Sequence, residues 1–455
     1  MATAGHRSTG ARSGKAMPVA RGLPVLGSSI PLLRDPLTFL REQFASLGPV
    51  FDIRAPRRTF TVLAGTDANR FMSVEGRDCF ESKSFWGRMS RQHECPHLLL
   101  TQDGPPHKIL RGVYHDDLSR RVVAEQIDSL AELTRRELHE CGQGGRPFSV
   151  RDFTRLLVSR QVHHLLTRGG APIDTATVTA MMEQFRWDSN TLLLGKWPRV
   201  ALRLPAYKRH VRTARRFLEQ LISETAESMP DGWFGTTHRA RQEHPELFTE
   251  GDVRMSFLLP FVAGVDTVGS TLAFALYEVL QDPALHQRVL AAVDGVFEDS
   301  PGEPSVAELR AIPELFGVVN ETLRLYPAAF GLYRRTAREF EFAGHTLPAG
   351  RDVLVFTSAP HTEARYFADP YKFDIDRFSP PRNEHKQRYV FAPYGAGPHI
   401  CLGAGMGEAL LLVGVACLLR HGRLSLVDPN KRQPPVFDPS LAISGRVALR
   451  YSGSR

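Results

Sequence analysis

The chain has 455 residues, 42% hydrophobic and 23% charged, enough apolar side chain to fill a large core. Its net charge of +8 is no nucleic-acid signal: Arg7, Arg12, Lys15 and Arg21 supply half of it in an acid-free stretch, and no clustered basic stripe or recognition module follows. The five cysteines (79, 95, 141, 401 and 417) form no Cys-x-x-Cys pair, so their spacing suggests neither a zinc site nor a disulfide framework and fits a reducing compartment.

Residues 1–21 are polar, basic and small, without a secretory signal; they are expected as a disordered tail ahead of one folded unit, 22–455. Leu23-Pro-Val-Leu-Gly leads into an amphipathic pattern over 37–44 and a break at Gly48-Pro49. β-Branched and aromatic residues across 50–64, around Arg57-Arg58, predict a hairpin. Residues 80–105 place Phe80, Phe85, Trp86 and Leu98 to Leu100 among polar residues with no clear period. They read as an irregular loop whose aromatic residues cap a core. Asp103-Gly-Pro-Pro then starts a helix on which His107 and Arg111, four apart, share a face. From 120 to 230 the pattern predicts successive helices, broken near 142–147 and 169–172. Within them, 185–204 carries Trp187, Leu192 to Leu194, Trp197 and several arginines. Ordinary helix packing and a lid touching substrate or a membrane surface both fit that composition.

Met255 to Leu280 is apolar nearly all round, but Pro260, Gly264, Asp266, Gly269 and Ser270 sit in its middle. An ionised Asp at mid-bilayer would cost about 3 kcal/mol or more, so a buried central helix is expected and no transmembrane anchor. Inside it, Ala263-Gly264-Val-Asp266-Thr267 sets an acid beside an alcohol. Thr can bond back to the i−4 carbonyl, whereas a buried Asp needs a partner. Glu321-Thr-Leu-Arg324 alone reads as a surface pair of little worth. It precedes Pro327 and, farther on, Phe373-Asp-Ile-Asp376-Arg377-Phe378.

Phe391 to Gly403 is a loop rich in glycine and proline that ends in one cysteine, followed by an apolar helix pattern over 409–419. Its glycines permit φ > 0 and close approach to a flat ligand, and Pro393 and Pro398 stiffen the turns. Cys401 lies just before a helix start, where free amides favour thiolate over thiol, and a soft anionic sulfur suits an axial iron ligand. On this segment alone a buried structural cysteine is an equal alternative. Gly403-Ala-Gly405-Met-Gly407 lacks the spacing of a dinucleotide turn.

The order Tyr394, Gly397, His399, Cys401, Gly403 resembles the haem-binding loop of the cytochrome P450 superfamily, with Tyr394 where the family usually has Phe. Ala263 to Thr267 resembles the family's distal-helix motif and Glu321 to Arg324 its Glu-x-x-Arg, all in family order. The resemblance implies a mainly α, single-domain fold with a small β region, a helical bundle around haem b with small β-sheets. It makes Cys401 the proximal iron ligand and directs His107, Arg111, Arg334 and His399 to the haem propionates. Tyr394, Gly395, Gly397 and Gly403 would shape the loop against the haem, and Gly264 would leave room for O2. Asp266 and Thr267 would deliver protons to it. Glu321, Arg324 and Arg377 would form a buried ionic triad behind the loop. The resemblance implies that the loop over 80–105 covers the substrate pocket instead of capping a core, and Phe85, Trp86, Phe261, Ala263, Phe330 and Leu332 are the expected pocket residues. Gly407 and Leu410 depart from the Ala and Glu the family often carries there.

The implied activity is a monooxygenase that inserts one oxygen atom of O2 into a lipophilic small molecule of terpenoid, polyketide, steroid or fatty-acid class. The haem fold uses up the chain, so electrons from NAD(P)H would arrive through a separate ferredoxin or flavin-type redox partner. A peroxide-driven hydroxylase or haem-thiolate isomerase is the alternative, opposed by the retained Asp266 and Thr267; a haem-based sensor or carrier would need neither proton relay nor partner. Arginine-heavy, lysine-poor usage and the missing anchor point to a soluble bacterial enzyme, cytoplasmic and monomeric.

Overall fold

The β-branched run after Gly48-Pro49 pairs as expected: Val50–Ala55 lies antiparallel to Arg58–Ala64, with Val50 opposite Leu63. The computed structural model describes residues 16–56, 58–170, 172–228, 231–300 and 302–455. Residues 1–15 of the expected tail lie outside these. Residues 16–21 correct its boundary, because the Ala20 amide donates to Asp52 O at 2.8 Å and its side chain is 6% exposed. Arg58–Ala64 also runs parallel to Asp352–Phe356, which pairs with Leu332–Thr336; Phe80–Glu81 closes this five-stranded sheet.

The rest is mostly helix. Pro36–Leu47 and Gly104–Tyr114 form as predicted, and Ile127–Gly142, Val150–Thr167, Thr175–Asp188 and Pro205–Ser228 succeed one another with the expected breaks. Residues 80–105 differ from expectation, since Lys83–Gln92 is a helix. Phe85 and Trp86, four and three residues before Met89, share its face and pack with it on Leu192 and Leu193. That partner lies too far along the chain for local periodicity to reveal it.

The central element is the helix Glu250–Gln281. Thr249 and Asp252 close a capping box at its start, and Phe261–Val265 widens into a π turn. Pro260 has no amide for the Ser256 carbonyl, and the indole N–H of Trp233 donates to that oxygen instead, at 2.8 Å. This helix and Ala404–His421 are long and apolar enough to cross a bilayer. With 72% and 67% of their apolar windows buried inside the protein, both serve here as core helices.

Candidate haem site

The loop before Ala404–His421 is shaped by its glycines. Gly395 and Gly397 have φ of 82° and 76°, and a Cβ on Gly397 would lie 2.7 Å from Met72 O. The Cys401 amide donates to Tyr394 O at 2.9 Å, closing the loop beneath the sulfur. Cys401 is an exposed residue at the end of this loop. Burial raises the thiol pKa, against the opposing pull of the Gly403 amide and the Arg111 charge. The Gly403 amide and Arg111 act in the direction expected of the helix start, favouring thiolate, and burial acts against them.

Across from the loop, Gly407 approaches Val268 of the central helix, with 3.6 Å between a built Cβ and Val268 Cγ2. One turn earlier that helix leaves Ala263 exposed and Gly264 and Thr267 half-buried, although Val262, Val265 and Asp266 are buried. A Cβ on Gly264 would meet nothing within 4 Å. The Thr267 hydroxyl donates to Ala263 O at 2.8 Å. Asp266 faces away from that side: Arg155 and Ser440 both donate to its carboxylate.

The expected propionate residues gather on one side. The rings of His107 and His399 are 4.0 Å apart, His399 Nε2 lies 2.9 Å from Asp103 Oδ1, and Arg111 Nη1 donates to Ile400 O at 2.8 Å. Burial works against ionisation of Asp103, but bonds from His399 and the Ser82 amide outweigh it and lower its pKa. Burial, then the charges of His399 and Arg111, push His107 down to about 4. Arg334 is 7% exposed and donates to a carbonyl, Tyr333 O at 2.7 Å; burial takes its pKa down to about 10. Two arginines, Arg111 and Arg334, and one carboxylate, Asp103, thus gather around His107. Two propionates would pair with Arg111 and Arg334, and a haem fits the residues present: an exposed loop cysteine, open space at Gly264, and two arginines sharing one carboxylate.

Behind the loop the expected triad is present, with every member at 0% side-chain exposure. Glu321 accepts from Arg324 Nε at 2.6 Å, Arg324 Nη2 at 2.7 Å and Arg377 Nε at 3.1 Å. A family model described as Cytochrome P450 matches residues 17–446. The chain belongs to the cytochrome P450 family. The fold and the haem-thiolate monooxygenase class expected from sequence are those of that family. A cyclooctat-9-en-7-ol 5-monooxygenase of Streptomyces melanosporofaciens is 27% identical over 88% of each chain. A probable cytochrome P450 4aa1 of Drosophila melanogaster is 34% identical, over 45% of this chain and 39% of the fly protein. Several other insect relatives are likewise matched over well under two thirds of their length. The solved structure of a retinoic acid-bound cyanobacterial CYP120A1 superposes with a TM-score of 0.81 at 21% identity, covering 97% of this chain and all of that one.

Within this P450 several residues depart from what the sequence indicated. Phe261, expected in the pocket, is fully buried against His163 and Phe217 at the start of the π turn. Phe330 packs against Phe356 and Phe437 and is likewise core. Phe85 stacks on Tyr333 at 4.8 Å with Trp86 against its edge, and Leu332 lies under Gly395. The triad gains a fourth member, Glu384, which accepts from Arg377 Nη1 at 3.0 Å and balances the second arginine. His361 carries no signal in the sequence: its Nε2 accepts from the Ala392 amide at 3.0 Å, which leaves Nδ1–H facing Arg324 O at 3.3 Å. One neutral imidazole so ties the triad helix to the haem loop. The Tyr394 hydroxyl is buried without a hydrogen-bond partner, and burial, with Glu408 and Cys401 near it, drives its pKa up.

Proposed function

We propose that this P450 inserts one oxygen atom of O2 into a lipophilic small molecule, with electrons passed from NAD(P)H by a separate ferredoxin or flavin-type protein, in the cytoplasm. The observation that carries the reading is exposed Cys401 on a glycine loop, together with exposed Ala263 and half-buried Gly264 and Thr267 on a mostly buried central helix. Haem, when bound, supplies the redox chemistry for dioxygen activation, and Cys401 would hold its iron while Arg111, Arg334, His107 and His399 hold its carboxylates. Thr267 donates its own proton to Ala263 O, so its oxygen lone pairs are free to accept from a ligand over Gly264. Asp266 is held by Arg155 and Ser440, and it moves a proton toward Thr267 only by releasing one of them. Phe85, Trp86 and Leu332 would exclude water from the substrate side. The relative acting on cyclooctat-9-en-7-ol favours a terpenoid among the lipophilic classes. The test is the reduced, carbon monoxide-treated protein. Wild type should give the red-shifted Soret band of a thiolate-ligated haem and Cys401→Ala should lose it; a normal band in the variant overturns the assignment. Turnover of terpenoid alcohols with NAD(P)H and surrogate partners, compared with peroxide alone, tests the electron route.

A further inference from the structure

Ala404–His421 begins at the haem loop, and a second cluster gathers at its other end. Cys417 and His421 are four apart on one helix face, and Glu303 reaches them from the connection ahead of Val306–Ala311. One donor atom of each lies within 4.8 Å of the other two. Cys417 is buried and makes no disulfide; Glu303 and His421 are half-buried. Two further observations mark the cluster as more than packing. His421 Nε2 is buried without a hydrogen-bond partner, an uncompensated polar atom of the kind a ligand satisfies. Arg135 Nη1 donates to Glu303 Oε1 at 2.9 Å and fixes the carboxylate, while Oε2 takes part in none of the described hydrogen bonds. Orientation of a metal-binding carboxylate by such an outer bond is the usual arrangement.

We propose that Cys417, His421 and Glu303 bind a zinc ion through thiolate, imidazole and carboxylate. Zinc accepts this sulfur–nitrogen–oxygen set in tetrahedral geometry, with water at the fourth position. Binding forms an S–Zn bond as the Cys417 S–H bond breaks, and the proton passes to solvent; no electrons are transferred. The ion joins the end of the haem-loop helix to the segment before Ser305 and, through Arg135, to Ile127–Gly142. It is a structural clamp, independent of the reaction at Cys401.

The test uses the full-length, haem-loaded protein, stripped with EDTA and reloaded with zinc sulfate. Elemental analysis should find one zinc per chain, with one proton released. Zinc K-edge absorption, blind to the haem iron, should show one sulfur at about 2.3 Å and nitrogen or oxygen at about 2.0–2.1 Å. Cys417→Ala and His421→Ala should each lose that zinc and keep the carbon monoxide band of the folded haem protein. Should Cys417→Ala fail to fold, His421→Ala, at a half-buried ring, decides. No stoichiometric uptake, no sulfur ligand, or unchanged uptake in His421→Ala overturns the site.

Discussion

Replacing Glu321 with Gln tests whether the buried charges behind the Cys401 loop hold the fold together. Glu321 accepts two bonds from Arg324, one from Arg377 and one from the Asp374 amide at 2.9 Å. Gln offers one acceptor oxygen, and its NH2 group would meet a guanidinium N–H. Arg377 would keep Glu384, but Arg324 would keep only the carbonyls of His361, Pro370 and Lys372. The variant therefore buries one uncompensated positive charge, at a cost of roughly 3–5 kcal/mol. That is a large share of the roughly 5–15 kcal/mol by which proteins are stable. Glu384→Gln removes a partly exposed carboxylate and leaves Arg377 its bond to Glu321, so it should cost less, about 1.5–3 kcal/mol. Urea unfolding of the haem-loaded proteins, followed by circular dichroism and the Soret band, measures both. A Glu321→Gln variant within about 1 kcal/mol of wild type would refute the argument, as would a Glu384→Gln variant that is the less stable of the two.

Gly397→Ala should empty the haem site, because φ is 76° and its Cβ would sit 2.7 Å from Met72 O; Gly403→Ala, with its nearest neighbour at 3.9 Å, should keep haem, and the haem-to-protein ratio separates them. Acid should destabilise the fold through buried neutral histidines. Burial and nearby arginine charge hold His361 at about 3, and burial, His399 and Arg111 hold His107 at about 4. Both lie below the unfolded value of about 6.5, so stability is full above that pH. It should fall by about 1.4 kcal/mol per pH unit per histidine as the pH drops toward 4, and His361→Gln should flatten the urea midpoint measured from pH 7 to pH 5. Thr267→Ala should keep haem and substrate binding yet lose about 10²–10⁴-fold in the proton-dependent step. NAD(P)H consumption would then continue with hydrogen peroxide released; unchanged product per NAD(P)H would place the proton route elsewhere.

The parts of the site whose residues lie close together along the chain are legible in the sequence. The loop from Tyr394 to Gly403 announces itself through glycines whose turns only they permit, and Glu321 and Arg324 do so through one helical turn. What stays hidden depends on residues far apart in the chain. Asp266 is satisfied by Arg155 and Ser440, His361 bridges Arg324 and Ala392, and Glu384 completes the charge balance. No period or short motif encodes these meetings. The direction of a side chain on a helix is hidden for a different reason. Phe261, expected in the pocket from the resemblance, is fully buried at the start of the π turn Phe261–Val265, a break in the regular helix that no short motif announces. Lys83–Gln92 escapes pattern reading because its apolar face is short and makes sense only against Leu192 and Leu193.

The parallel pairing of Thr61 with Val353 joins segments made at very different moments of translation. At roughly 5–20 residues per second, the ribosome delivers the second strand about 15–60 s after the first. Until then Arg58–Ala64 has one edge bonded to Val50–Ala55 and the other bare, with Phe60, Val62 and Leu63 lacking their final cover. An unpaired, apolar strand edge of that kind is a template for pairing with other chains. The newborn protein thus passes through a long interval of exposure, and conditions that slow elongation, or crowd nascent copies together, should lower the yield of native enzyme without altering a single contact of the finished molecule.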